Sequence, residues 1–118
     1  MQFNWKIEYY RLVGKSSPIF EFIESLPTKA VGKIYNSFDL LAEYGLHLGK
    51  SRVKKVIGTP LWELRILGED SIRIFYIAVQ EKTFLLLHAF KKKKQKTPQK
   101  EIKIALNRLE EYQQRDNS

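Results

Sequence analysis

The chain has 118 residues and a formal net charge of +8, with 21 Lys or Arg against 13 Asp or Glu, so we expect one basic domain over residues 1–118. The absence of cysteine excludes disulfides and thiolate metal sites, and two histidines argue against a histidine-rich metal centre, so no metal or other cofactor is expected. No apolar segment approaches the roughly 20 residues that span a bilayer, and the N-terminus lacks a signal-peptide core, so the expected location is the cytoplasm.

The first part of the chain predicts one strand and two helices. Residues 3–13 are rich in aromatic and β-branched side chains, which favours a strand. Ser16 or Ser17 can cap a helix that starts with Pro18, and the apolar residues after it recur at helical spacing. Thr28 is a candidate cap for a second helix of the same kind. Because the linker between the two helices is short, we expect a helical hairpin.

The middle of the chain changes to alternating periodicity. Residues 47–60 are basic and aperiodic, which predicts an irregular segment. Three alternating segments follow, LWELRI, SIRIFYIAV and FLLLHAF, with short turns between them, one of which is at residues 68–70. This pattern predicts a three-stranded antiparallel meander. In the last of the three strands, alternation places Leu86 and His88 on the same face.

A last apolar stripe predicts a C-terminal helix, with Thr97 as its candidate N-cap and Pro98 as its first residue. The element order is then β-α-α-β-β-β-α. This order predicts the α+β class, with a mainly antiparallel sheet of about four strands. We expect the two N-terminal helices and the C-terminal helix to pack on one face of that sheet.

The two faces of the predicted meander differ in composition. One is nearly all apolar, with residues such as Leu64 and Ile74, and is expected to lie in the core. The other face carries Glu63, Arg65, Arg73, Phe75, His88 and Phe90. Guanidinium groups suit phosphates and aromatic rings stack on bases, so this face predicts a solvent-exposed RNA-binding surface. The alternative is an ordinary outer face with cross-strand Glu–Arg pairs.

Four consecutive lysines, Lys91–Lys94, lie between the last predicted strand and the last predicted helix. A helix N-terminus carries about half a positive charge, so lysines there cost stability unless an anion lies between them. This placement favours a phosphate site over a solvated charge run. The basic segment 50–55 adds Lys54 and Lys55, whose distance from the junction the sequence does not fix.

The segments LWELRI, RIFYIA and LLLHAFKKKKQKTPQKEIKIALNRL resemble the phage-derived HigB-like branch of the RelE/ParE toxin superfamily. The last segment is similar to that branch's pattern of a strand, Phe, one residue, Lys-Lys, one residue, Gln-Lys-Thr-Pro and a helix. The resemblance covers about residues 60–110. In the N-terminal half it rests on the element order alone.

The resemblance implies a small toxin of a type II toxin–antitoxin pair. Most such toxins are mRNA interferases, ribosome-dependent endoribonucleases that inhibit translation without a metal, and the ribose 2′-hydroxyl attacks the adjacent phosphate. Arg65 and Arg73 match the arginines that would hold this phosphate. Lys92 and Lys93 match the lysine pair that would stabilise charge or transfer protons, and crowding by other cations should lower the pKa of such lysines. His88 is a candidate general base, or simply a strand residue.

Further RNA contacts are expected from neighbouring lysines and aromatic rings, although the rings can equally pack in the core. The candidates are Lys54, Lys55, Phe75, Phe90, Lys91 and Lys94. The expected partners are mRNA, the ribosome and a cognate antitoxin, which in this branch is typically a helix-turn-helix protein; no membrane is involved. Two alternatives stay open: a gyrase-inhibiting toxin of the same fold, and a non-catalytic nucleic-acid-binding protein of phage origin.

Overall fold

The centre of the fold is a five-stranded sheet, which a computed structural model describes within residues 4–66, 68, 71–93 and 95–116. The elements in chain order are β1 (Lys6–Tyr9), α1 (Pro18–Glu24), α2 (Thr28–Tyr44), β2 (Val53–Lys55), β3 (Trp62–Arg65), β4 (Ile72–Val79), β5 (Thr83–Lys91) and α3 (Gln99–Asp116). A single 3₁₀ turn, Gly45–His47, follows α2. Within the described ranges, no helix has the length and apolar character needed to cross a membrane.

The sheet is mixed, with the strand order β1-β5-β4-β3-β2. β1 runs parallel to β5, and the other neighbouring strands are antiparallel. The predicted α+β class and the meander are confirmed, whereas the prediction of about four strands was wrong. β2 forms inside the segment 47–60 that was predicted to be irregular, and it pairs Lys54 with Glu63. With three residues, β2 is too short to show a periodicity. Of the predicted turn between β3 and β4, Glu69 and Asp70 lie outside the described residues.

The helix starts follow partly from their predicted caps. Ser17 precedes α1, and its hydroxyl oxygen accepts hydrogen bonds from the backbone N–H groups of Ile19 and Phe20 at 3.2 and 3.3 Å. The predicted cap of α2 is wrong by one position. Pro27 holds the cap position without a side-chain hydrogen bond, and Thr28 is the first helical residue.

Replacing Ser17 with alanine is expected to lower the free energy of unfolding by about 1 kcal/mol, because two N–H groups at the start of α1 lose their acceptor. Urea denaturation followed by circular dichroism measures this change. Ser51→Ala, at an exposed position in the loop before β2, is the matched control. Equal denaturation midpoints for the two variants would contradict a capping role for Ser17.

A β-bulge in β5 reverses the alternation of its side chains. Phe75 pairs with His88 and Tyr76 pairs with Leu86, so Leu87 is an extra residue without a partner on β4. Leu86 and His88 therefore lie on opposite faces of the sheet, and their predicted placement on one face is wrong. The sequence does not reveal the bulge, because consecutive apolar residues precede His88 and carry no alternation.

Helices cover both faces of the sheet. On one face, Tyr9 of β1 packs edge-on against Phe38 of α2, with ring centroids 5.9 Å apart, and the Phe20 ring of α1 lies on the same side. On the other face, His88 Nε2 lies 2.7 Å from Glu101 Oε1 of α3. The prediction that all helices pack on one face is therefore wrong. The apolar stripe of α3 is buried against the face of the sheet opposite to α1 and α2, because those two helices already cover the first face.

Candidate functional site

Positive side chains from three neighbouring strands point to one side of the sheet. Arg65 of β3 pairs with Arg73 of β4 in the strand register. Lys54 of β2 pairs with Glu63, which lies two residues before Arg65 and thus on the same face of β3. The sequence left the position of Lys54 open, and the pairing of β2 with β3 now places it beside the arginines.

The lysine junction completes this cluster. The Lys92 backbone N–H donates a hydrogen bond to the Ser71 carbonyl oxygen at 2.7 Å, which holds the first residue after β5 beside β4. Lys92 and Lys93 border a hollow of about 360 Å³ together with Arg73 and Gln95. We call this group the basic cleft. Its residues are Lys54, Arg65, Arg73, Lys92 and Lys93.

A second hollow, of about 410 Å³, adjoins the first at Lys92 and Gln95. Lys54, Glu63 and Thr97 are among the residues that line it. Of the described residues that line the two hollows, Glu63 alone carries a carboxylate. Together the two hollows form a strongly positive depression that extends from the adjoining ends of β4 and β5 to β2.

Glu63 is buried at the base of this depression, with 1% of its side chain exposed. Its Oε2 lies 3.1 Å from Arg73 Nε, an ion pair without hydrogen-bond geometry. Its Oε1 accepts a hydrogen bond from the Thr97 hydroxyl at 3.2 Å. Arg65 Nε is also buried, and it has no hydrogen-bond partner among the described residues. The Glu–Arg pair that was the ordinary alternative for this face thus exists inside the cation cluster.

The sequence assigned no functional role to Glu63 or Thr97. Glu63 was recognised only as the acidic member of its strand face, and Thr97 was predicted only as the cap of a helix that starts at Pro98. In the structure that helix, α3, starts at Gln99, and the Thr97 hydroxyl binds Glu63. The Glu-x-Arg spacing could have indicated a role for Glu63, since it puts Glu63 and Arg65 on the same side of β3.

The pKa of the Lys92 ammonium is lowered. Burial is the largest cause, and the positive charges of Lys54, Arg73 and Arg65 lower the pKa further, whereas the negative charge of Glu63 raises it. The sequence predicted the direction from the neighbouring cations, but burial is the larger effect. A lysine with a lowered pKa loses its proton nearer to neutral pH, which suits a group that transfers protons.

His88 lies on β5, beneath α3, whereas the arginines lie on β3 and β4. Its Nε2 is 2.7 Å from Glu101 Oε1, and its Nδ1 is 3.3 Å from Arg108 Nη1. Its ring stacks on Phe90 with centroids 5.4 Å apart. Burial lowers the pKa of His88, and the hydrogen bond to Glu101 acts in the opposite direction. His88 is thus engaged by the helix and does not line the basic cleft; its role as a general base stays a prediction.

Removing His88 is expected to make the stability less sensitive to acid. Its folded-state pKa lies below the ordinary histidine value of about 6.5, so the unfolded chain binds more protons, and stability falls as the pH drops below that value. Chemical denaturation at several pH values between about 7.5 and 5 should show a steeper fall for the wild type than for His88→Gln. His47→Gln, which removes the exposed histidine, is the control, and equal slopes for wild type and His88→Gln would contradict the prediction.

The aromatic members of the predicted RNA-binding face are buried. Phe75 is 0% exposed and Phe90 is 5% exposed, and their ring centroids lie 5.1 Å apart. The prediction that this face meets solvent is wrong over this part of the sheet, because α3 covers it. Base stacking on either ring stays a prediction, and it would require α3 to move away from the sheet.

Two other predicted RNA-binding lysines, Lys55 and Lys91, are not brought together with the arginines of the basic cleft. Lys55 borders the second hollow, but its ammonium lies 5.8 Å from the centroid of the Trp62 ring. Lys91 pairs with Ile72, so its side chain lies on the face opposite to Arg73. Lys94 lies outside the described residues. Lys54 is therefore the member of this predicted set that the structure brings together with the arginines.

The donor set of the site suits an anion. The part of the chain that the structure describes contains no group of three or more His, Asp or Glu side chains with the arrangement needed to bind a metal ion. The cleft instead presents guanidinium and ammonium groups, which bind phosphate by charge-assisted hydrogen bonds.

Comparisons with known proteins give one family and one fold. The model of the family described as "Phage derived protein Gp49-like (DUF891)" matches residues 21–110. Among solved structures, a chain of the archaeal RelE–RelB complex from Pyrococcus horikoshii OT3 aligns with a TM-score of 0.59 and 18% sequence identity, over 77% of this chain and 98% of that chain. No curated protein sequence gives a significant match. The predicted RelE-like fold is thereby confirmed.

Proposed function

The chain belongs to the phage-derived Gp49-like family, a family of RelE/HigB-type toxins, and we propose that it is the toxin of a type II toxin–antitoxin pair that cuts mRNA on the ribosome. The family was predicted from a resemblance over residues 60–110, and the match over residues 21–110 confirms it. The nuclease activity is the proposal, and it is supported by the residues of the basic cleft.

The convergence of Lys54, Arg65, Arg73 and Lys92 is the observation that carries the proposal. Cleavage of a phosphodiester adds negative charge to the phosphoryl oxygens, and fixed positive groups around that position lower the barrier. Guanidinium groups also bind phosphate oxygens in a defined geometry. Two arginines that are neighbours in the strand register, with a lysine of lowered pKa beside them, match these requirements.

In the proposed reaction, the ribose 2′-oxygen forms a bond to the adjacent phosphorus and the bond to the 5′-oxygen breaks. The products are a 2′,3′-cyclic phosphate and a 5′-hydroxyl, so one proton leaves the 2′-hydroxyl and one reaches the 5′-oxygen. Arg65 and Arg73 hold the phosphate, and Lys92 and Lys93 supply the acid–base groups. His88 would accept the 2′ proton only if α3 were displaced, because the helix engages both ring nitrogens.

The proposed protein partner is a cognate antitoxin. The solved relative forms a complex with RelB, and a comparable partner for this chain would neutralise the toxin by covering or distorting the basic cleft. On the resemblance to the HigB-like branch, we propose a helix-turn-helix protein. The substrate is mRNA bound to ribosomes, so the proposed site of action is the cytoplasm.

A translation reaction with one defined mRNA tests the proposal. The purified protein is added, and new 5′ ends of the mRNA are mapped by primer extension. We expect discrete new ends in the complete reaction and none when ribosomes are left out. Ends that also form on free mRNA would show a ribosome-independent nuclease. Intact mRNA and unaffected translation would contradict the proposal, and inhibition of DNA supercoiling by gyrase would then support the alternative toxin activity.

A further inference from the structure

Glu63 is a carboxylate buried inside a cluster of cations. Its side chain is 1% exposed, and Lys54 on β2 and Arg73 on β4 flank it from the neighbouring strands. Burying a carboxylate is strongly unfavourable unless opposite charges and hydrogen bonds compensate it. An exposed carboxylate would serve equally well to reduce the net charge, so burial at this point indicates a more specific role.

The two oxygens of Glu63 hold two different parts of the cleft. Oε2 forms an ion pair with Arg73 Nε at 3.1 Å, which holds the charge of this guanidinium next to β3. Oε1 accepts from the Thr97 hydroxyl at 3.2 Å, and Thr97 belongs to the segment that joins the lysine junction to α3. The carboxylate thus connects the sheet arginine to the lysine junction.

We propose that Glu63 is the positioning residue of the basic cleft, which fixes Arg73 and the lysine junction relative to each other around the site of the scissile phosphate. The inference deepens the proposed nuclease function, and its activity measurements rest on that function. Glu63 acts through its neighbours and does not touch RNA, since both of its oxygens are engaged and its side chain is buried.

The charge of Glu63 also offsets repulsion within the cleft. Lys54, Arg65 and Arg73 lie close enough to Lys92 to lower its pKa, and repulsion between like charges is strong where water is excluded. Glu63 raises the pKa of Lys92 against the combined effect of burial and the other cations. Without this charge, Lys92 would lose its proton at a lower pH, and the cations would turn away from one another.

Glu63→Gln tests the inference because the amide keeps the shape of the side chain and removes the charge. We expect kcat for mRNA cleavage to fall about 10²-fold, as for a misplacement of reacting groups by about 1 Å, while KM changes little. The alkaline limb of the pH–rate profile should move to lower pH. Glu110→Gln, at an exposed position on α3, is the matched control for loss of one negative charge. Wild-type kcat and an unchanged pH profile for Glu63→Gln would overturn the inference.

Thr97 provides a second test if Glu63→Gln fails to fold. Thr97→Val leaves the carboxylate and its pair with Arg73 in place and removes the hydroxyl that binds Oε1. We expect a lower kcat for Thr97→Val. Thr97→Ser keeps the hydroxyl, so we expect its kcat to be higher than that of Thr97→Val. Equal rates for the valine and serine variants would overturn the role of this hydrogen bond.

A titration of Lys92 tests the inference without any cleavage assay. The side-chain ¹³Cε signals of lysine-labelled protein are followed against pH, and Lys92 is assigned by its absence from the spectrum of Lys92→Arg. We expect a lower Lys92 pKa in Glu63→Gln than in the wild type, because the amide carries no negative charge to stabilise the ammonium group. Thr97→Val keeps the carboxylate, so its Lys92 pKa should stay close to the wild-type value. An unchanged Lys92 pKa in Glu63→Gln would overturn the inference. If the wild type cleaves no mRNA, the proposed function fails, and this titration alone decides on the role of Glu63.

Discussion

Arg73→Ala is expected to lower the rate of mRNA cleavage by about 10²–10³-fold, the loss typical for removal of one fixed donor to a developing oxyanion. Arg73 lies in the centre of the basic cleft, paired with Glu63 and adjacent to Arg65 in the strand register. Arg73→Lys keeps the charge but loses the planar guanidinium, so we expect it to recover only a small part of the rate.

The assay must separate lost catalysis from lost folding and lost binding. Because Arg73 compensates a buried carboxylate, the alanine variant will also be less stable, and rates are compared at a temperature at which circular dichroism shows it to be folded. Arg11→Ala, which removes an exposed arginine outside the cleft, is the matched control. A non-catalytic RNA binder would instead show weaker binding, with the slope of log affinity against log salt reduced by about 0.7, and no loss of position-specific cleavage.

Phe75→Ala is expected to lower the free energy of unfolding by about 3–5 kcal/mol, a large part of the 5–15 kcal/mol that holds a typical domain together. The Phe75 ring is 0% exposed and packs against Phe90 between the sheet and α3. Its removal leaves a cavity that the surrounding sheet cannot close. The change is measured by urea denaturation of the purified variant.

Phe20→Ala is the matched control for this variant. It removes the same atoms from a ring on α1 that is 46% exposed, so a much smaller loss is expected. The same pair of variants tests the predicted contact between Phe75 and RNA. Wild-type stability together with weaker RNA binding in Phe75→Ala would show that the ring meets a base and that α3 leaves this face when RNA binds.

Local signals were sufficient for most elements of the fold. The cap at Ser17 and the apolar spacing predicted α1, and strict alternation predicted β3 and β4 within one or two residues. The segments of β3 and β4 also carry part of the family resemblance. These features depend on neighbours in the sequence, which is why the sequence alone reveals them.

Features that depend on distant residues were missed. β2 exists because β3 offers a free edge, and its three residues carry no periodicity of their own. The extra residue at Leu87 lies in an apolar run, where alternation has nothing to mark it. The position of α3 was missed although the sequence held a signal for it. Exposing Phe75 and Phe90 on a solvent-facing sheet is costly, which would have favoured a helix that covers this face.

The candidate site shows the same division. Alternation placed Arg65 and Arg73 together, but the depth at which Glu63 lies depends on α3 and on the segment before it. Likewise, Lys54 joins the cleft only through the pairing of β2 with β3. The sequence therefore predicted which residue types meet, and the packing decides which of them are fixed and which are exposed.

The parallel pairing of β1 with β5 bears on how the chain matures during its own synthesis. Lys6 is paired with Thr83, 77 positions later, so β1 leaves the ribosome long before its partner exists. At 5–20 residues per second, the wait lasts roughly 4–15 s, and closure of so large a loop is among the slowest steps of folding. Lys92 and Thr97 follow later still. The basic cleft draws on residues from β2 to the segment after β5, so it cannot assemble before Lys92 and Thr97 have been synthesised.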